Sequence, residues 1–156
     1  VDDAERDPLT CRQLNALAAE KLARTCGKLR IPLVVFSSDL VFDGEKNGKG
    51  PYVESDHPSP LNVYGASKLE GEAAIAASGA AALTLRTSWV YARHGQNFLT
   101  TMERLARERD ELRVVADQAG VPNWTRALAH ATAQLVARGR DDLAAHAGLY
   151  HLSAGG

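Results

Sequence analysis

Ile31-Pro32-Leu33-Val34-Val35-Phe36-Ser37-Ser38-Asp39 is the stretch whose reading decides the fold. Leu33 to Phe36 is an unbroken apolar run, β-branched at its centre and bounded by a breaker and by polar residues. A strand with one wet face alternates, so a continuous run of this length reads as a strand buried on both faces, as in parallel sheets. It ends in Ser37-Ser38-Asp39, and open α/β sheets put their ligands at the carboxyl ends of such strands. The same three residues also suit a plain polar turn leaving the strand.

Helices are expected on either side of that strand. Upstream, Asp7-Pro8 pairs an N-cap residue with proline at the first helical position. The helix should run from about Pro8 to Leu29, with Cys11, Leu14, Leu17, Ala18 and Leu22 as its apolar stripe. Asn15, within it, reads as a surface or backbone-bonding polar residue. Downstream, Leu40 to Gly44 should continue extended into a turn at Asp43-Gly44, followed by a loop over residues 45–59. Pro58, Pro60 and Asn62 then deliver a second helix, from about Asn62 to Ser78, which stops at Gly79.

A strand from Ala81 to Arg86 comes next and ends in Thr87-Ser88-Trp89-Val90-Tyr91. Trp89 could be core filler or, at this rim, a flat surface for a sugar or cofactor ring. Gln96 to Arg107 is predicted helical, with Phe98, Met102, Leu105 and Ala106 on one face. Leu112 to Val115 reads as a third strand, and 117–124 as a turn and loop. Thr125 should cap a helix reaching about Arg138, and Gly148 to Leu152 should be a last strand. Helices alternating with strands imply right-handed crossovers and a parallel sheet covered by helices on both faces.

Composition narrows the function. A chain of 156 residues suits one domain or a large piece of one, and 45% apolar residues can fill a core. Lys and Arg number 18 against 19 Asp and Glu, a net charge of −1. That leaves no basic field for nucleic acid or for an anionic membrane. The longest apolar-leaning run, Ala73 to Leu85, is too short to span a bilayer. Cys11 and Cys26 fall on one predicted helix, where a rise of about 1.5 Å per residue puts them roughly 22 Å apart. A disulfide needs less than about 7 Å, so both are expected as free thiols, which suits a reducing cytoplasm. The five histidines lack metal-ligand spacing. Neither G-x-G-x-x-G nor G-x-x-x-x-G-K occurs.

The chemistry is concentrated in Leu61-Asn62-Val63-Tyr64-Gly65-Ala66-Ser67-Lys68-Leu69-Glu70-Gly71-Glu72. On a helix, Tyr64 and Lys68 share a face, with Cβ atoms about 5–6 Å apart. A free tyrosine has a pKa of about 10. An adjacent ammonium would favour the phenolate and bring the pKa toward the working range, making Tyr64 a plausible proton donor to a carbonyl under reduction. Taken alone, the pair also fits a helix residue with its hydroxyl at the surface beside a solvated lysine.

Pro60 to Glu72 resembles the active-site helix of the extended short-chain dehydrogenase/reductase family, whose pattern is P-x-N-x-Y-G-x-S-K-x-x-x-E. The matches are Pro60, Asn62, Tyr64, Gly65, Ser67, Lys68 and Glu72. Within that family the chain is more closely similar to the dTDP-4-dehydrorhamnose reductase family. The resemblance rests on Val1 to Glu5, on Ser37-Ser38-Asp39-Leu40-Val41-Phe42-Asp43-Gly44, and on Arg86 to Tyr91. Gly95-Gln96-Asn97-Phe98, Gln118 to Pro122 and Gly148 to Leu152 complete it.

The resemblance implies a Rossmann-type sheet with a smaller substrate-binding region. It implies NADPH- or NADH-dependent reduction of dTDP-4-dehydro-6-deoxy-L-mannose (dTDP-4-dehydrorhamnose) to dTDP-L-rhamnose. By position, Tyr64 would be the proton donor, and Lys68 would hold the nicotinamide ribose and lower the tyrosine pKa. Ser38 would bond the substrate carbonyl, Asp39 and Trp89 would contact the sugar, Phe36 would lie along the cofactor, and Asn97 would face the nucleotide sugar. The partner implied is a nucleotide-sugar substrate, and the resemblance allows a homodimer.

Three positions depart from the family pattern. Leu40 replaces a common aromatic, Asn123 stands where threonine is usual, and Arg126 replaces an acidic residue that helps bridge a dimer through a divalent metal in some members. No metal ligand, and so no Mg²⁺, is expected here. The family's Gly-rich dinucleotide loop would lie ahead of Val1. Residues 1–156 are therefore expected to be an internal fragment: the catalytic half of an NAD(P)-binding domain with part of the substrate-binding region. The alternatives are a non-catalytic regulatory subunit of the methionine adenosyltransferase type, or another nucleotide-sugar epimerase or dehydratase.

Overall fold

The computed structural model describes residues 1–46 and 50–155. Three helical segments, α1 (Asp2–Arg6), α2 (Pro8–Arg12) and α3 (Ala18–Leu29), precede β1 (Leu33–Ser38). Then come α4 (Val63–Ala77), β2 (Ala82–Thr87), β3 (Val90–Tyr91), α5 (Phe98–Glu108), β4 (Asn123–Trp124), α6 (Thr125–Ala137), α7 (Arg140–Ala145) and β5 (Gly148–His151).

β1, β2 and β5 form one parallel sheet in the order β1-β2-β5. β1 runs in register with β2 from Leu33 opposite Ala82 to Ser38 opposite Thr87. Alternation along the strands sorts the core into two layers. Leu33 and Val35 of β1 and Ala82 of β2 pack with Ala23 of α3 and Ile75 of α4. Val34, Leu83 and Leu85 face the other way and meet Leu135 of α6 and Leu143 of α7. The expected parallel sheet with helices on both faces is what forms.

The expected Pro8–Leu29 helix is continuous but not uniform. Asp7 caps it, its carboxylate accepting the Thr10 amide at 3.1 Å. Residues Gln13–Leu17 then form a π-helical turn between α2 and α3. A π-turn inserts a residue and rotates everything beyond it. Burial accordingly steps from Cys11 to Ala16, five residues on, and then to Ala23, seven further. The expected stripe is thereby broken: Leu14 and Leu22 are 68% and 58% exposed. Small residues make the buried face instead and let α4 approach closely. A Cβ on Gly71 of α4 would overlap the carbonyl oxygen of Asn15 in the π-turn.

Other expectations need correction. Leu112 to Val115 is no strand: Val114 and Val115 are exposed and pair with no sheet among the described residues. Leu40 does not continue the strand, because Asp39–Val41 is a 3₁₀ turn whose N-cap is the Ser38 hydroxyl. The helix expected over Gln96 to Arg107 does form as α5, with Met102 and Leu105 of its apolar face only partly covered and Phe98 59% exposed. Thr125 begins α6 without capping it through its side chain. The pairing of β3 with β4 and the short α7 had no counterpart in the sequence reading. Residues 47–49 of the expected loop lie outside the described residues. No described helix is long and apolar enough to cross a membrane.

Candidate active site

The site is assembled where α4 starts beside the carboxyl end of β1. Asn62 caps the helix, its Oδ1 accepting the Gly65 amide at 2.7 Å, while the Val63 amide donates to Glu5 Oε1 at 2.8 Å. Gly65 lies against the turn that follows β1, and a Cβ there would overlap the Leu40 carbonyl oxygen. Glycine thus lets the first turn of α4, with Tyr64 on it, sit directly over the end of the strand. One turn on, Lys68 Nζ donates to the Phe36 carbonyl at 2.7 Å.

Tyr64 and Lys68 open into one cleft of about 900 Å³. Its walls are Phe36, Ser37, Thr87 and Val90 from the strand ends, and Thr125, Leu128, Thr132 and Val136 from α6. The Ser37 and Thr87 hydroxyls are buried in this wall with no partner among the described residues. A largely apolar cleft with a few convergent polar groups is the usual form of a small-molecule site. Lys68 has three N–H donors and gives one to Phe36, leaving two for a ribose hydroxyl. Those free donors, the orphaned hydroxyls and the exposed Phe36 ring fit the nicotinamide–ribose end of a dinucleotide.

The electrostatics differ from the sequence expectation. Burial pushes the Tyr64 phenol above its ordinary pKa, and the nearby Asp39 carboxylate and Cys11 add to the shift. Lys68 has turned to the Phe36 carbonyl, and burial lowers its own pKa, against the pull of Glu72 and Cys11. Desolvation is thus the largest influence on both groups, and neither shift is set by the other residue. Burial also raises the Asp39 carboxyl, opposed by a bond from the Ser38 hydroxyl at 3.1 Å.

Phe36, Tyr64 and Lys68 therefore share the cleft. Ser38 and Asp39 follow directly after its β1 wall, with Ser38 Oγ also accepting the Leu40 amide at 3.2 Å. Trp89, half exposed just past β2, and Asn97 do not line it. Asn97 is occupied locally: its Oδ1 accepts the Thr100 amide at 3.1 Å to cap α5, and its Nδ2 donates to the Ala92 carbonyl at 2.9 Å.

Asn15 is neither a surface residue nor a backbone-bonding one. From the π-turn its Nδ2 donates to Ser67 Oγ at 3.0 Å and to Cys11 Sγ at 3.3 Å. Ser67 in turn donates to the Tyr64 carbonyl at 2.7 Å, so α2, the π-turn and the first turn of α4 are joined behind the tyrosine. Asn15 follows Cys11 by one helical turn, and both side chains meet Ser67 Oγ; no residue pattern announced the π-turn at Gln13–Leu17. Cys11 and Cys26 are free, as expected.

A family model described as the RmlD substrate binding domain matches residues 1–156. The chain belongs to that family. RmlD-type relatives include the dTDP-4-dehydrorhamnose reductase of Burkholderia thailandensis, 45% identical over 100% of this chain and 53% of its own length. The same-named protein of Escherichia coli K12 is 45% identical over 100% of the chain and 51% of its own. Among solved structures, a dTDP-4-dehydrorhamnose reductase from Bacillus anthracis in complex with NADP superposes with a TM-score of 0.85 at 35% identity. It covers 100% of this chain and 53% of that one. An ortholog from Clostridium acetobutylicum gives 0.88 at 34%, covering 100% and 52%. The chain spans about half the length of the RmlD-family relatives it matches.

Proposed function

We propose that this chain is the catalytic half, with part of the substrate-binding region, of a nicotinamide-dependent dTDP-4-dehydrorhamnose reductase. The reaction reduces the C4 ketone of dTDP-4-dehydro-6-deoxy-L-mannose to the alcohol of dTDP-L-rhamnose. The observation that carries the proposal is the placing of Tyr64 and Lys68 in one apolar cleft at the ends of β1 and β2. NADP in the Bacillus anthracis relative favours NADPH over NADH as the reductant.

A reduced nicotinamide, when bound, supplies the hydride for the carbonyl carbon. The carbonyl oxygen then needs a proton, and Tyr64 Oη gives it. The raised phenol pKa suits that role, because the proton stays on the oxygen at neutral pH until negative charge develops on the substrate. The free N–H donors of Lys68 orient the ribose, and its charge stabilises the phenolate once the proton has gone. Ser38 Oγ exchanges its bond to Asp39 for one to the substrate carbonyl, while Asp39 and Trp89 contact the sugar. The apolar α6 wall excludes water from the reacting atoms.

The test is the product. The full-length gene product carrying this chain is incubated with NADPH and dTDP-4-dehydro-6-deoxy-L-mannose, and the nucleotide sugars are separated by ion-pair chromatography. Stoichiometric appearance of dTDP-L-rhamnose is expected. Unchanged ketosugar, or its C3 or C5 epimer with no NADPH consumed, would refute the proposal.

A further inference from the structure

Trp89 has a left-handed backbone, with φ of +42°. A bulky residue adopts that conformation only where its surroundings over-determine it, and such strain clusters at functional sites. Two features hold it. The Trp89 indole lies on the backbone of Gly120, so closely that a Cβ there would overlap Nε1 and Cε2 and approach Cδ1 at 2.8 Å. Any side chain at Gly120 must displace the ring.

The second feature is Asn123, only 1% exposed. Its backbone N–H donates to the Trp89 carbonyl at 3.1 Å. Its Nδ2 donates to the Ser88 carbonyl at 2.7 Å and to the Val121 carbonyl at 2.9 Å, and its Oδ1 accepts the Ala154 amide at 2.6 Å. One amide therefore ties the segment after β2, the segment before β4 and the segment after β5, using both donors and its acceptor. A threonine hydroxyl, with a single donor, could not make all three bonds.

We infer that Gly120 and Asn123 are positioning residues: Gly120 seats the indole of Trp89, Asn123 locks its backbone, and together they present the ring to the substrate's sugar. This rests on the proposed reading of Trp89 as a sugar contact. Neither residue lines the Tyr64 cleft, so their effect should fall on sugar affinity rather than on proton donation.

The test uses the full-length gene product, with NADPH oxidation on the dTDP-ketosugar as the assay and Trp89→Ala as reference. Gly120→Ala and Asn123→Thr should each raise the substrate KM toward that of Trp89→Ala, by about tenfold. They should leave NADPH affinity unchanged and kcat within about threefold. Adding Gly120→Ala to Trp89→Ala should have no further effect, because the two act on one contact. In a Trp124→Phe background, both variants should make Trp89 fluorescence more accessible to acrylamide. Gly120 is in an exposed loop, so its variant should fold even if the Asn123 variant does not. Wild-type KM and quenching in both variants, beside an impaired Trp89→Ala, would overturn the inference alone. A wild-type KM in Trp89→Ala itself would overturn the sugar contact and the inference with it.

Discussion

Arg86 of β2 grips Glu72 of α4 through two bonds, Nε to Oε1 at 2.9 Å and Nη2 to Oε2 at 2.6 Å, with the side chains only 4% and 9% exposed. The guanidinium also lies over the Phe42 ring, 4.9 Å from its centroid. Glu72 is one turn beyond Lys68, so the pair fixes the register of the α4 face that carries Tyr64 and Lys68 against the sheet. Removing one partner strands a buried charge at a cost of about 3–5 kcal/mol. Glu72→Leu and Arg86→Met should each lose about that much in urea unfolding, and the double variant distinctly less than either. Equal losses in all three would contradict a coupled pair.

Burial raises the Asp39 carboxyl above its ordinary pKa, which gives a pH signature. Its folded pKa is raised, so the folded state prefers the protonated carboxyl. That contribution is complete below the unfolded carboxyl pKa and is lost as pH rises through the folded value. At pH 7 the charge is therefore a burden, and Asp39→Asn should raise Tm while its Oδ1 still accepts from Ser38. The gain should shrink toward zero as pH falls below about 4. Thermal unfolding of both proteins from pH 3 to 8 checks this, and a gain independent of pH would contradict it.

The polar link behind Tyr64 should carry measurable stability. Ser67→Ala removes the acceptor of Asn15 Nδ2 and the donor to the Tyr64 carbonyl. Losing a partner for such groups costs about 1–3 kcal/mol. Ser67→Ala should unfold at correspondingly lower urea with an unchanged m-value, and an unaltered midpoint would show that the link carries no load.

Much of this was legible in the sequence. The run Leu33 to Phe36 gave β1, Asp7-Pro8 gave the first long helix, and Pro60 to Glu72 gave the helix bearing Tyr64 and Lys68. These are local signals: continuous apolarity, a cap beside a proline, and a helical spacing of four. What escaped needed tertiary geometry. A stripe counted at 3.6 residues per turn put Leu14 and Leu22 inside, and the π-turn at Gln13–Leu17 breaks that count. Leu112 to Val115 has strand propensity but pairs with no strand among the described residues. The phenol of Tyr64 was expected to be lowered by Lys68, because spacing shows adjacency and not the burial that decides the balance. Asn123 looked like a loop substitution and is instead a buried junction of three segments.

Arg126 stands where the resemblance puts an acidic residue that, in some members, would help bridge a dimer through a divalent metal. Its guanidinium carbon is 5.7 Å from the centroid of the Trp124 ring. A guanidinium has no lone pair to offer and stays charged at any working pH, whereas Mg²⁺ requires oxygen ligands. Turnover and sedimentation of the full-length gene product should be the same with Mg²⁺ and with a chelator. A dimer lost to the chelator and restored by Mg²⁺ would show that other groups carry the metal.

The central claim is that Tyr64 gives the proton. Tyr64→Phe deletes one oxygen and leaves α4, its Asn62 cap and the Lys68 bond to Phe36 in place. In the full-length gene product, kcat for NADPH oxidation by the dTDP-ketosugar should fall by about 10²–10⁴, as expected for loss of a general acid, with NADPH affinity retained. A Tyr64→Phe enzyme that turns over near the wild-type rate would contradict the account.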